Sequence, residues 1–350
     1  SIVSSSSDGT IKLWSQEGQL QRTLPLDQGE MWAVDISPDQ QTLAAVSNAG
    51  VLTLWGMDGS LRNRISAHGD AAFDVAFSPD SREIATAGWD GQVKLWQPDG
   101  TLIQALQKSP DADELPDLNS PQNLLKNRLN AIALSPNGQW LAVAGLDEKI
   151  HLWQRSGTGA FTSPPHRVLE GHDDNIWDVA FSPVREASLE ENGTMLASAS
   201  EDTTVKLRSL DGTLIRTLAG HSDRVNAVTF IPPNAGLPAE WGTVIASASW
   251  DHTVKLWSLD GTLRLTLEGH EDRALDVAFY PATSTHGPLL ASDGLDNEVI
   301  LWPLDRVLEQ SQILNYGCQW VQEYLHTNPQ PQTRALCQPA FEIRKEGAAP

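Results

Sequence analysis

Histidine, serine and aspartate recur together along this chain of 350 residues, and together they are the side chains of nucleophilic catalysis. The pairs Gly171-His172, Gly220-His221 and Gly269-His270 are each followed by an apolar run, then by Ser198, Ser247 or Ser292, and four residues later by Asp202, Asp251 or Asp296. A catalytic nucleophile needs an exposed serine, a base in reach and an oxyanion hole, all at one place. A set that returns at several places, each time closed by a Trp or its equivalent, fits a hydrogen-bonded structural network instead. Other chemistry is sparse. The two cysteines, Cys318 and Cys337, lack the CxxC spacing of a zinc site, and no GxxxxGK[ST] phosphate loop occurs. The reading is a protein that is not an enzyme and takes no cofactor or metal.

The elements that must position these residues are short strands. Leu-Trp segments close successive units at Trp14, Trp55, Trp96, Trp153, Trp257 and Trp302, with Arg208 in the equivalent place of one further unit, making seven. The first three stand 41 residues apart, within the ~40 to 45 residue period of a four-stranded blade. Residues 225–230, 244–249, 254–257 and 262–267 are β-rich runs bounded by Pro, Gly and Asp, which predicts four strands per unit. Asp-Gly recurs between the third and fourth strands at Asp58-Gly59, Asp99-Gly100, Asp211-Gly212 and Asp260-Gly261, suiting tight hairpins. A lone sheet of this size cannot bury both faces, and seven of them closed into a ring can. The fold class predicted is all-β, a seven-bladed β-propeller over residues 1–304.

From the Gly-His pairs through Ser-Ala-Ser-x-Asp to Lys-Leu-Trp, the chain resembles the WD40-repeat family. That resemblance implies a buried His, Ser or Thr, Asp and Trp relay in each blade. The complete sets are His68, Thr86, Asp90 and Trp96; His221, Ser247, Asp251 and Trp257; and His270, Ser292, Asp296 and Trp302. Blade five keeps His172, Ser198 and Asp202 but has Arg208 for Trp. Blade four has Val143 and no Gly-His pair, and blade two lacks that pair and has Ala49 for the turn Asp. Blade one starts at its second strand, Ile2-Val3-Ser4, so its inner strand is missing; Ala340-Phe341-Glu342-Ile343-Arg344 is a candidate to replace it.

In such a propeller the loops around one mouth of the channel form the recognition surface the resemblance implies. Aligning the three positions per blade that project there singles out Trp32, Phe73, Trp89, Arg128, Trp177, Arg224, Trp250 and Arg273 as candidate partner-binding residues. Aromatics and Arg are the residue types of interface hot spots. Two bland readings compete: Trp32, Phe73 and Trp177 are core between blades, or the arginines pair with neighbouring Asp223 and Asp272. An acidic or phosphorylated protein or peptide segment is the partner that the arginines fit. An acidic loop over residues 107–127 is expected at the same mouth as a mobile element or lid, with insertions at 184–193, 232–242 and 281–288 on the opposite face.

Lys plus Arg number 24 against 45 Asp plus Glu, a net charge of −21, so phosphate backbones and anionic lipid are repelled and neither nucleic acid nor membrane is an expected partner. Few cysteines favour a reducing, cytoplasmic setting. After Trp302 the pattern turns helical, predicting a short C-terminal α-helical tail over residues 305–350. Its run Tyr316-Gly317-Cys318-Gln319-Trp320 through Asn328-Pro329 resembles the end of WD40 regions in bacterial, especially cyanobacterial, STAND-type signalling proteins. The function that this implies is a protein–protein interaction or sensor module of such a parent, with the parent's other domains also as partners. A passive scaffold or dimerisation domain is the alternative, and a propeller enzyme the remote one.

Overall fold

Consecutive short strands with hairpin turns fold into antiparallel meanders, and each sheet in the computed structural model is such a meander in chain order. The structure describes residues 2–25, 29–108, 125–183, 194–233, 235, 237–282 and 287–305. Blade six shows the plan: inner strand Val225–Ile231, then Val244–Ser249, Thr253–Ser258 and outer strand Leu263–Glu268. The inner strands of blades two to seven, Met31–Ile36, Ala72–Phe77, Leu129–Leu134, Ile176–Phe181, Val225–Ile231 and Ala274–Tyr280, contact one another in series. They form the wall of the central channel of a seven-bladed β-propeller. The core lies in layers between blades, where alternate residues of the second and third strands are fully buried, Leu52, Leu54, Leu95 and Leu256 among them.

The first and last blades depart from four strands. Blade one comprises Ile2–Ser5, Thr10–Trp14 and Leu20–Pro25, with no inner strand among the described residues. Blade seven has three strands among the described residues, Ala274–Tyr280, Leu289–Gly294 and Val299–Pro303, and the chain that follows its third strand lies, beyond residue 305, outside them. Gly18, in the turn before blade one's outer strand, lies against Leu301 of blade seven's third strand. The equivalent turn glycines, Gly100, Gly212 and Gly261, lie against outer strands.

The Asp-Gly turns divide their labour. Gly59, Gly100, Gly212 and Gly261 take φ of 84°, 92°, 96° and 92°, where a Cβ is strained. The aspartates instead accept the amide two residues on, as Asp260 Oδ1 does from Thr262 at 2.9 Å. The predicted tail, the strand candidate Ala340-Phe341-Glu342-Ile343-Arg344, the lid over residues 109–124 and the insertion 184–193 lie outside the described residues.

One polar latch joins each inner strand of blades two to six to the next. Asp35 accepts the Phe77 amide, Asp74 that of Ile132 and Asp178 that of Val228, at 2.8, 2.7 and 2.8 Å. Blades four and six carry Ala131 and Ala227 at the position of Asp74, and there an Asn one residue earlier does the work. Asn130 donates to Ile176 O at 3.2 Å and Asn226 to Leu275 O at 2.7 Å. Losing such a bond costs about 1–3 kcal/mol when it strands a buried carbonyl. Asn226→Ala is therefore expected to lower unfolding free energy by about 1–2 kcal/mol in urea, and Asp276→Ala by less, because Asp276 is exposed and bonds no neighbouring blade among the described residues. Equal losses for the two would contradict the latch.

Candidate functional site

The repeated His, Ser or Thr, Asp and Trp residues come together inside the blades. In blade six Trp257 Nε1 donates to Ser247 Oγ at 2.9 Å, Ser247 meets His221 Nε2 at 2.8 Å, and His221 Nδ1 meets Asp251 at 2.7 Å. Blade three repeats this through Trp96, Thr86, His68 and Asp90 at 3.0, 2.8 and 2.9 Å, and blade seven through Trp302, Ser292, His270 and Asp296 at 2.9, 2.8 and 2.8 Å. Every proton has one direction of donation: indole to hydroxyl, hydroxyl to imidazole, imidazole to carboxylate. That order requires a neutral imidazole, and burial pushes the His221 pKa down, as it does that of His172. Thr86 and Ser247 are 0% exposed, so neither hydroxyl can reach a substrate. Burial raises the Asp251 pKa, but the hydrogen bonds from His221, Thr253 and the Ser222 amide outweigh it and hold the carboxyl well below its usual range.

Where the sequence departs from the set, the structure finds substitutes. In blade five His172 keeps Ser198 and Asp202 at 2.7 and 2.6 Å, while Arg208 turns away to donate to Glu170 O at 2.6 Å. Blade one retains Trp14 Nε1 on Ser4 Oγ at 2.9 Å. In blades two and four, Trp55 Nε1 and Trp153 Nε1 are buried without a partner among the described residues. Blade four builds a different cluster that sequence reasoning missed. Asp147 accepts from Lys108 Nζ at 2.7 Å and from His151 Nε2 at 2.8 Å. Burial pushes the Asp147 carboxyl up, yet the His151 hydrogen bond and the Lys108 charge hold it at about 2. Lys108 also donates to Lys126 O, tying together the two ends of the segment 109–124.

The eight candidate binding residues form one contiguous arc at the channel mouth. Trp32 packs on Phe73 and Trp89 with ring centroids 4.9 Å away in each case, and Phe73 stacks on Trp89 at 5.7 Å. Phe73 reaches Trp177 at 6.0 Å. Arg128 covers Trp89 at 4.0 Å, closing one end. At the other, Arg224 lies 4.1 Å from the Trp177 ring and 3.3 Å from Trp250, and Arg273 lies 3.9 Å from Trp250. Two guanidinium groups that close to one indole cannot share a face without overlapping, so Trp250 is clamped between Arg224 and Arg273.

All eight side chains are half-buried, neither sealed between blades nor fully solvated. The reading of Trp32, Phe73 and Trp177 as core is thus only half met: their inner edges pack and their outer edges face the mouth. The alternative pairing of the arginines is corrected. Asp223 and Asp272 each accept the following residue's amide, at 2.7 and 2.8 Å, and no ion pair joins them to Arg224 or Arg273 among the described residues. Arg128 has Asp70 at 3.9 Å. Burial and the charge of Arg273 bring the Arg224 pKa down to about 10, against the pull of Glu201 and Asp223, so it stays cationic near neutrality. Arg224 Nε and Trp250 Nε1 have no hydrogen-bond partner among the described residues.

No group of three or more His, Cys, Asp or Glu among the described residues is placed to hold a metal ion, and no described helix is long and apolar enough to cross a membrane. The fold and its face define a rigid propeller that presents a loop surface around a channel. It carries WD40 repeats: the family model for the WD domain, G-beta repeat, matches residues 59–97, 121–154, 163–209 and 212–258. The chain is also similar to a probable cytosolic iron-sulfur protein assembly protein 1 of Malassezia globosa, 34% identical over 88 residues. That stretch spans 23% of this chain and 22% of the relative, so the likeness covers under a quarter of either protein.

Proposed function

We propose that this propeller is a non-catalytic module that holds a partner protein or peptide against its channel mouth. The observation that supports this reading is the arc itself. Five aromatics and three arginines from six consecutive blades touch one another at a place where a ring of loops converges. A merely solvated rim has no reason to gather the residue types that dominate interface energetics. The relays support the same reading from the other side, since the side chains best suited to chemistry are consumed in holding blades together. A wider role, as the sensor of a larger bacterial signalling protein of STAND type in the cytoplasm, rests on the run Tyr316-Gly317-Cys318-Gln319-Trp320, outside the described residues.

Affinity capture separates this role from that of a passive scaffold. Trp89→Ala, Trp177→Ala, Trp250→Ala and Arg224→Ala are each expected to weaken capture of a partner ten-fold or more while thermal unfolding stays near that of the wild type. Undiminished capture by all four variants would refute the channel-mouth reading. Robust hydrolase or lyase turnover by the purified protein would refute the non-catalytic one.

A further inference from the structure

We infer that the Arg224–Trp250–Arg273 clamp receives a single phosphate monoester carried on a partner peptide, an inference that rests on the channel mouth being the binding face. Three observations lead there. First, the clamp brings two cations from neighbouring blades onto the two faces of one indole, and no carboxylate among the described residues lies within ion-pair distance of either. Stacking uses the faces of the guanidinium planes and leaves their N–H edges, which are the part that grips an oxyanion in a forked pair of hydrogen bonds. Of these edges, Arg224 gives one donor to Asn226 at 3.0 Å and has its Nε buried, and the Arg273 guanidinium donates to no side chain among the described residues. Like charges held side by side without an ion-pair partner are matched best by one group that carries close to two negative charges, as a phosphate monoester does near neutral pH.

Second, the surroundings select against the other anion a peptide could offer, a run of carboxylates. Glu30, Glu201, Asp70, Asp223 and Asp272 stand around the same mouth, on a chain of net charge −21. An acidic tract laid across it meets repulsion along its length, whereas one concentrated charge flanked by neutral or basic residues meets the clamp and spares the rim. Third, the clamp is continuous with an apolar half. Trp177 is shared between Arg224 at 4.1 Å and Phe73 at 6.0 Å, and beyond Phe73 lie Trp32 and Trp89. A segment anchored by phosphate at one end of the arc therefore has an aromatic surface for a bulky apolar residue at the other.

The test uses the chain as it stands and three degenerate peptide libraries, alike except for a fixed central phosphoserine, serine or glutamate. Retention of the phosphoserine library is expected to exceed the other two by ten-fold or more, to be displaced by inorganic phosphate, and to show enrichment of apolar residues on one flank. Arg273→Gln, whose side chain makes no hydrogen bond or ion pair with a described residue, is expected to abolish that preference with unfolding unchanged, and Arg224→Gln to do the same. Equal retention of all three libraries that Trp177→Ala abolishes would overturn the phosphate clamp and leave the channel-mouth reading standing. No retention of any library, or binding of the chain to anionic vesicles in place of peptide, would overturn the clamp as well. Capture insensitive to Trp89→Ala and Trp177→Ala in the partner experiment is the separate failure of the reading beneath it.

Discussion

Ser247→Ala lowers the unfolding free energy by about 2–4 kcal/mol, the largest loss expected from removing one oxygen atom from this protein. Its hydroxyl is the junction of a buried relay, accepting from Trp257 Nε1 and meeting His221 Nε2. Deleting it strands two polar atoms where water cannot replace the bond, and each stranded group costs about 1–3 kcal/mol. Blades two and four limit the estimate from above, because Trp55 and Trp153 each hold a buried indole N–H without an acceptor in a folded blade. These blades also supply the control. Trp257→Phe and Trp153→Phe remove the same volume from fully buried sites, but only the first breaks a hydrogen bond. Urea unfolding is expected to show the Trp257 variant about 1 kcal/mol worse. Equal losses would mean that the relay contributes order without free energy.

These relays also show why much of the fold could be read in advance. A residue that must satisfy a buried partner recurs in most blades, so the Leu-Trp period marks the number of blades and the Gly-His pairs mark the register of those that carry them. The same holds for the mouth. Trp32, Phe73 and Trp177 follow the first apolar residue of the inner strands of blades two, three and five, and a position fixed in the repeat is fixed in space. What escaped notice is what the repeat does not carry. Lys108 reaches Asp147 from the end of another blade's outer strand, and no local spacing joins residues 39 apart. The Asn130 and Asn226 latches did leave a trace, an Asn at the second position in blades four and six, where Ala stands at the third and no Asp follows at the fifth, as Asp35 does in blade two. It becomes legible only once the crossing to the next strand is known.

Stability is expected to rise as the pH falls from 8.5 to 6.5, the reverse of what a strongly acidic surface alone would suggest. The latch aspartates converge on the channel wall. Burial pushes Asp35 up to about 6, and burial reinforced by Asp276 and Asp35 pushes Asp74 up to about 7. Asp178 is raised well above the usual carboxylate range by burial and Asp74, and Asp293 to about 7 by burial and Asp276. A carboxyl whose folded pKa exceeds its unfolded value binds its proton first in the folded state, so its penalty is complete above the folded pKa and fades as the pH drops through it. Each such group contributes at most about 1.4 kcal/mol per pH unit. Below about 6.5, the ordinary value for histidine, His172 and His221 oppose the trend, because their lowered pKa values let only the unfolded chain take up protons. The curve should therefore climb to near pH 6.5, flatten, and fall in acid as Asp202 and Asp251, held low by their histidines, lose their charge. Asp293→Asn isolates the carboxylate part. Asp293 has one oxygen without a partner and accepts the Asp276 amide, so an amide side chain keeps the bond and removes the charge. The variant is expected to be more stable than the wild type at pH 8.5 and to show a shallower rise toward pH 6.5 in urea titrations. A wild type indifferent to pH across that window, or a variant with an unchanged slope, would show that solvent in the channel screens these carboxylates fully.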